Sequence, residues 1–297
     1  MAVLGTWAFS ESAVDQLRSL ISSGRQATDA VEEALAAAED DPGTGRHIVG
    51  RGGFPNSAGV LECDAAIMEG GAGRFGAVAA LRGVGSPVRV ARSVMERSPH
   101  SLLVGEGAVG FAREQGFTVE PNEAMLTPHS TQAYQEFVEK KNQPSGHDTL
   151  GLIALDLMGN ITVGVSTSGA PFKSPGRVGD SPLPGCGLYA DHTASAAAAT
   201  GDGDKIMCFC PSFHVVQQMK KKGSCPGDAC RAVLTDILCR VEPAKRFEIG
   251  LIAMNMKGEV GAASSVEFPY TFWKRDMVKV QTCISVPLDS HGDKPGE

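Results

Sequence analysis

The sequence predicts an α/β protein in which sheets are covered by layers of helices. Two apolar runs interrupted by two-residue turns, 149–167 and 248–266, read as buried β-hairpins. Helix pairs precede and separate them, and no repeat of 20–50 residues is visible. Hairpins interleaved with helix pairs bury their apolar faces best as sheets with helices laid on them. A chain of 297 residues buries roughly three quarters of its unfolded surface, so the core is large enough for such layers.

Residues Ser10 to Ser23 carry Ala13, Val14, Leu17, Leu20 and Ile21 at helical spacing, with Ser10 or Ser12 as N-cap and Gly24 as the stop. A second helix is expected from Thr28 to Glu39, with Thr28 as its cap, and further helices near 88–97 and 101–115. Between Pro121 and Gly146 the apolar periodicity fades and polar residues with Pro and Gly predict a mobile surface segment. The pattern then switches abruptly. Thr149 to Met158 reads as a buried strand, Gly159-Asn160 as a turn, and Ile161 to Thr167 as the returning strand. Between the two hairpins helices are expected at 194–199, 212–219 and 227–240, and the second hairpin turns at Lys257-Gly258. The tail 289–297 is polar and expected to be disordered.

Charge narrows the function classes. A net charge of −7, with basic residues scattered except for Lys220-Lys221-Lys222, argues against a protein that tracks phosphates, so no nucleic-acid partner is expected. Nowhere do about 18 apolar residues run together, so no membrane span is expected. The start, Met1 to Trp7, has neither a basic region nor an apolar stretch of secretory length. That reads as cytoplasmic on sequence, or lysosomal if the true start lies upstream. The eight cysteines are accordingly expected as reduced, mostly buried thiols.

Several motifs are candidates for chemistry. Gly105-Glu106-Gly107-Ala108-Val109-Gly110 matches G-x-G-x-x-G, but 101–115 reads as one helix and Met125 and Leu126 stand where an acidic residue should be. No dinucleotide or other cofactor is expected. Cys208, Cys210, His214, Cys225, Cys230 and Cys239 lack paired C-x-x-C spacing, so no metal is expected either, and a Cys225–Cys230 disulfide is a minor alternative. The loops Gly176-Arg177-Val178-Gly179-Asp180-Ser181-Pro182 and Ala199-Thr200-Gly201-Asp202-Gly203-Asp204 set charges and hydroxyls among glycines, where backbone can approach a ligand. Arg177 could grip a carboxylate with two parallel hydrogen bonds and Asp180 an ammonium, a clamp for a zwitterion. The plainer alternative is a pair of turns with a surface ion pair. Finally, His147-Asp148-Thr149 ends a polar segment at a threonine that opens a buried strand. Cleavage before Thr149 would release an α-amine of pKa about 8, a base carried by the nucleophile itself. The alternative is a strand-initiating threonine of no further significance.

Taken together and in this order, His147-Asp148-Thr149-Leu150-Gly151, Ser166-Thr167-Ser168-Gly169, 176–182, Gly187-Leu188-Tyr189-Ala190-Asp191 and Ala199-Thr200-Gly201-Asp202-Gly203 resemble the glycosylasparaginases, members of the N-terminal nucleophile hydrolases. Upstream, Thr6-Trp7-Ala8-Phe9, 24–32, 64–70 and 102–106 fit the same family, so the likeness covers nearly the whole chain. The resemblance implies a four-layer αββα sandwich made as a precursor and cut at Asp148–Thr149. The products would be an α-chain (1–148) and a β-chain (149–297), paired as αβ or (αβ)2.

It further implies Thr149 as nucleophile, Thr167 supporting its hydroxyl, and Thr200 with the Gly201 N–H as oxyanion hole. Arg177, Val178, Gly179, Asp180, Asp202 and Gly203 would bind the substrate, with Trp7 lining the pocket. His147, Asp148 and Thr167 would assist self-cleavage. The substrate implied is a small molecule, glycosylated asparagine. Two positions depart from the family's usual pattern: Asn56 stands where it has Asp, and Glu69 where it has Asp. The first bears on carbohydrate preference. Rival readings are an L-asparaginase or isoaspartyl dipeptidase, whose nucleophile usually follows glycine, and an uncleaved, non-catalytic homologue. Asn160-Ile161-Thr162 is the one glycosylation sequon, read as an unmodified asparagine in a turn.

Overall fold

The computed structural model describes residues 1–71, 73–140 and 148–288; His147 and the 289–297 tail lie outside them. Its centre is the predicted hairpin, β5 (Leu150–Leu155) and β6 (Ile161–Thr167), whose antiparallel strands are buried throughout while the turn between them is exposed. Both faces are covered because the sheet lies inside the molecule. Leu150, Leu152 and Ala154 point toward a helical layer, while Ile153, Leu155, Val163 and Val165 point toward a second sheet, as the two-residue period of a strand requires.

Strand β1 (Ala2–Thr6) pairs with β5, and β2 (Cys63–Glu69) pairs with β6. With β3 (Phe75–Leu81), β4 (Leu102–Val104), β11 (Phe268–Lys274) and β12 (Gln281–Ser285), they form an eight-stranded sheet of order β12-β11-β1-β5-β6-β2-β3-β4. Strands from both sides of Asp148 therefore interleave. The second sheet runs β10-β9-β8-β7, with β7 at Leu188–Asp191, β8 at Ser195–Gly201, β9 at Ile249–Asn255 and β10 at Val260–Ser264. Helices α1 (Glu11–Ser22), α2 (Ala27–Asp40), α3 (Pro87–Arg97) and α4 (Gly105–Glu114) cover the first sheet. After α5 (Asn122–Met125), α6 (Pro128–Lys140) and α7 (Gly203–Ile206), helices α8 (Pro211–Lys222) and α9 (Pro226–Arg240) cover the second. The layers are αββα.

Five expectations need correction, the first being that the cysteines are mostly buried: only Cys63, Cys186 and Cys230 of the eight are. Residues 194–199, read as helix, lie in β8. Alanine favours helices in isolation, but here small side chains are needed where the sheets approach. A Cβ on Gly151 of β5 would lie only 3.0 Å from that of Ala198. The polar stretch after Pro121 is not a loop up to Lys140: it contains α5 and α6. Helix α6 has a narrow apolar edge, with Phe137 stacked on Phe172 at 4.4 Å and Tyr134 beside them, too sparse to register as periodicity. Residues 101–115 are not one helix, because 102–104 pair in parallel with β3. The glycine motif thus does follow a strand and open a helix, yet nothing lies within 4 Å of a Cβ on Gly105, Gly107 or Gly110. Finally, neither predicted cap acts as one. Ser10 donates to Trp7 O, and Thr28 sits inside α2 against Thr162 and Glu69.

The start of α2 is instead held from a distance. Buried Asp156 accepts Ala27 N–H at 3.0 Å through Oδ2, which also takes Asn160 Nδ2, while Oδ1 takes the Met158 and Asn160 N–H groups at 2.9 Å. One carboxylate thus caps a helix and closes the β5–β6 turn, and the sequon asparagine is engaged in that turn. Asp156→Ala is expected to lower stability by about 1–3 kcal/mol, since it strands the buried Ala27 N–H and opens the β5–β6 turn. Urea unfolding checks this; a loss under about 0.5 kcal/mol, the usual range of an inert surface change, would contradict it.

Candidate active site

The site gathers at one end of the central strands. Thr149 precedes β5 and is 4% exposed. Its carbonyl accepts the Thr6 hydroxyl at 2.6 Å, and the same hydroxyl oxygen accepts Gly151 N–H at 2.9 Å. Its N–H donates to Thr200 Oγ1 at 3.0 Å, and its own Oγ1 lies 3.3 Å from Ser181 Oγ. Main-chain position and hydroxyl are thus fixed by three different segments.

Thr200 Oγ1 also accepts the Trp7 indole N–H at 2.9 Å. Trp7 sits at φ 62, ψ 158, a conformation that a bulky L-residue holds only when its surroundings impose it. The edge-on contact with Phe268, 4.8 Å between centroids, and the bond from Ser10 Oγ to Trp7 O supply that constraint. The next residue of β8, Gly201, has φ +126, and a Cβ there would come within 2.2 Å of Glu248 O. Only glycine fits.

At the end of β6, Thr167 Oγ1 lies 3.2 Å from both Asp148 O and Ile48 O and accepts Gly169 N–H at 2.9 Å. Its one proton is thus shared between two carbonyls, one of them the carbonyl that precedes Thr149. The Asp148 carboxyl is pushed up to about 6 by burial, reinforced by Glu248. His47 Nδ1 stands 3.8 Å from Asp148 Oδ2 and is stacked on Phe9 at 4.3 Å. Burial, with help from Arg46, holds this histidine below its ordinary pKa.

Arg177 and Asp180 share the cleft with Thr149 without pairing to each other. Arg177 Nε donates to Asp204 Oδ1 at 3.0 Å, which turns the terminal nitrogens toward Gly179 and Gly203. A Cβ on those glycines would lie 3.0 Å and 3.3 Å from them. Asp180 is 2% exposed and its Oδ2 has no hydrogen-bond partner among the described residues. Burial pushes its carboxyl up to about 7, with Arg177 pulling the other way. An unpartnered carboxylate oxygen facing a cleft is poised for a cation.

The cleft brings together Asp148, Thr149, Thr167, Gly169, Ala170, Arg177, Gly179, Asp180, Ser181, Gly201 and Gly203. Thr200 and Trp7 lie directly behind it, tied to Thr149 by hydrogen bonds. Val178 and Asp202 are on the same loops but not on its wall as described. His147 lies outside the described residues. Asn56, one of the two departures, is buried and closes its own turn by accepting Ala58 and Val60 N–H groups. Sequence reasoning gave no role to Ser181, Thr6 or His47. Ser181 and Thr6 stood within quoted motifs, whereas His47 meets Asp148 across about 100 residues of chain and leaves no local signal. No group of three or more His, Cys, Asp or Glu side chains is placed to hold a metal among the described residues, and none of the described helices is long and apolar enough to cross a membrane.

A four-layer αββα sandwich with a hydroxyl nucleophile candidate at the head of a central strand is the architecture of the N-terminal nucleophile hydrolases. Comparison with known proteins narrows the class: the Asparaginase_2 family model, described as asparaginase, matches residues 5–284. The chain is 39% identical over 269 residues to the N(4)-(Beta-N-acetylglucosaminyl)-L-asparaginase of Elizabethkingia miricola, covering 88% of this chain and 77% of that one. It is 36% identical over 297 residues to the N(4)-(beta-N-acetylglucosaminyl)-L-asparaginase of Mus musculus, covering 88% and 83%. A putative Drosophila melanogaster enzyme of the same name matches at 36% over 313 residues, covering 90% and 77%. The chain belongs to this asparaginase family.

Proposed function

We propose that the chain cuts itself between Asp148 and Thr149 and then hydrolyses N4-(β-N-acetylglucosaminyl)-L-asparagine to aspartate and the glycosylamine. The observation that carries this reading is one cleft holding Thr149 Oγ1, the Asp148–Thr149 linkage and the Arg177–Asp180 pair. In self-cleavage, Thr149 Oγ attacks the Asp148 carbonyl carbon and the C–N bond breaks, giving an ester and a free amine. Water then hydrolyses the ester. The Thr167 hydroxyl, 3.2 Å from Asp148 O, donates to the oxygen on which charge develops. The Asp148 carboxyl, which burial pushes up to about 6, is the acid–base group at hand, with His147 preceding it in the chain.

Cleavage leaves residues 1–148 and 149–297 as α- and β-chains of one αββα domain. The interleaving of β1 between β11 and β5 is what would keep them together. Assembly as αβ or (αβ)2 follows the resemblance. In the mature site the Thr149 amine takes the proton of its own hydroxyl, which attacks the side-chain amide carbonyl of the substrate. The Thr200 hydroxyl and Gly201 N–H receive the oxyanion, and loss of such a donor costs about 3–4 kcal/mol of barrier. The Arg177 guanidinium binds the α-carboxylate and Asp180 the α-ammonium. Binding a cation there offsets the burial that raises the Asp180 carboxyl, so this clamp selects asparagine with both termini free.

Ser181 holds the nucleophile's hydroxyl in line. Ser181→Ala is expected to lower kcat about five- to tenfold with little change in KM, the worth of one net hydrogen bond; steady-state kinetics checks it, and an unchanged kcat would remove Ser181 from the reaction. The substrate reading is tested by comparing hydrolysis of glycosylated asparagine with that of β-aspartyl dipeptides. A large preference for the dipeptides would overturn it in favour of an isoaspartyl dipeptidase.

A further inference from the structure

The cysteines around Cys208-Phe209-Cys210 take no part in the reaction described above. The fold brings a third thiol to them: Cys186 Sγ stands 3.6 Å from Cys210 Sγ, across 24 residues of chain. Cys186 is buried and lies in the turn that carries Asp180 and Ser181. Within that turn Leu183 N–H and Gly187 N–H both bond to Asp180 O, and Cys186 N–H bonds to Leu183 O. Cys210 is exposed and precedes α8 at φ 47, again a conformation that its neighbours must impose. Ser212 Oγ donates to Cys186 O at 2.7 Å, and Phe213 N–H donates to Gly185 O at 3.0 Å. The two backbones that bear the sulfurs are thus pinned to each other beside the sulfurs themselves. A disulfide needs an S–S distance of about 2.05 Å, so closing the gap takes about 1.5 Å of side-chain movement.

We propose that Cys186 and Cys210 are a reversible dithiol–disulfide pair that ties the 180–187 turn to the 203–210 segment. The step takes a low-molecular-weight disulfide such as glutathione disulfide as oxidant. The Cys210 thiolate attacks one sulfur of that disulfide, forming a mixed disulfide and releasing one thiol. Cys186 then loses its proton to solvent and attacks Cys210 Sγ, displacing the second thiol. Two protein thiols are oxidised and one small disulfide is reduced to two thiols. Exposure assigns the first attack to Cys210. Burial, reinforced by Cys210 itself, pushes the Cys186 thiol up to about 12, so it acts second. The bridge joins two walls of the cleft. One presents Asp180 and Ser181; the other presents Gly203, next to which Asp204 holds Arg177 from outside the cleft. The chemistry does not depend on the catalytic reading.

The test uses the full chain, reduced and then incubated with glutathione disulfide, with remaining thiols alkylated and peptides mapped by mass. The expected product is a Cys186–Cys210 linked peptide two hydrogens lighter than its reduced parts, together with a thermal midpoint raised by several degrees. Both should vanish in Cys210→Ser and persist in Cys208→Ser. Recovery of Cys210 only as a glutathione adduct, or joined to Cys208, would overturn the proposal.

Discussion

Replacing Thr149 by alanine is expected to leave the chain as a single species of 31.0 kDa and to lower turnover at least ~10⁴-fold, the scale on which loss of a nucleophile is felt. Both effects follow from one atom, because in the proposed reaction the hydroxyl that opens the Asp148–Thr149 bond is also the hydroxyl that attacks the substrate. The fold should be kept. The bonds that fix Thr149 to Thr200 and Thr6 use its main chain, which alanine retains, and only a methyl and a hydroxyl are lost. Gel analysis after prolonged incubation and turnover measurements check both halves. Thr149→Ser retains the oxygen and should retain the cut. A Thr149→Ala chain that still divides would show that another group attacks that bond.

Arg177→Lys should separate binding from processing. Lysine keeps the charge but not the planar fork, and it cannot keep the geometry in which Nε holds Asp204 while the terminal nitrogens face Gly179 and Gly203. The expected loss in kcat/KM is about 10- to 100-fold, equivalent to about 1.5–3 kcal/mol for a hydrogen bond to a charged group, and carried mainly by KM. Self-cleavage should proceed as before, since Arg177 makes no hydrogen bond to Asp148 or Thr149 among those described. Kinetics on glycosylated asparagine alongside the fraction of divided chain give both readings. Equal loss of the two would make Arg177 a structural residue.

Much of this was legible in the sequence where local chemistry suffices. The β5–β6 hairpin announces itself through an apolar run, a Gly-Asn turn and a second run, and α9 through its periodicity. The residues of the cleft were recognisable as motifs because glycines with charges and hydroxyls in fixed order are hard to assemble otherwise. What the sequence hid was decided by tertiary packing. Ala196 and Ala198 face the first sheet across a gap that admits only small side chains, while Ala197 and Ala199 face α8 and α9, and no local propensity records that packing. The start of α2 is capped by Asp156, 129 residues away, rather than by the adjacent Thr28. Similarly, β4 is three residues long and is a strand only because β3 offers it an edge. Ser181 was visible but unassigned, since its role depends on how the 180–187 turn folds back over Thr149.

The proposed reaction requires Thr149 to become a chain terminus, and N-terminal sequencing of the purified protein tests that most directly. Two sequences should be found, one from the start of the chain and the other Thr-Leu-Gly-Leu-Ile, beginning at Thr149. A single sequence from the start of the chain, in protein that nevertheless hydrolyses glycosylated asparagine, would contradict it.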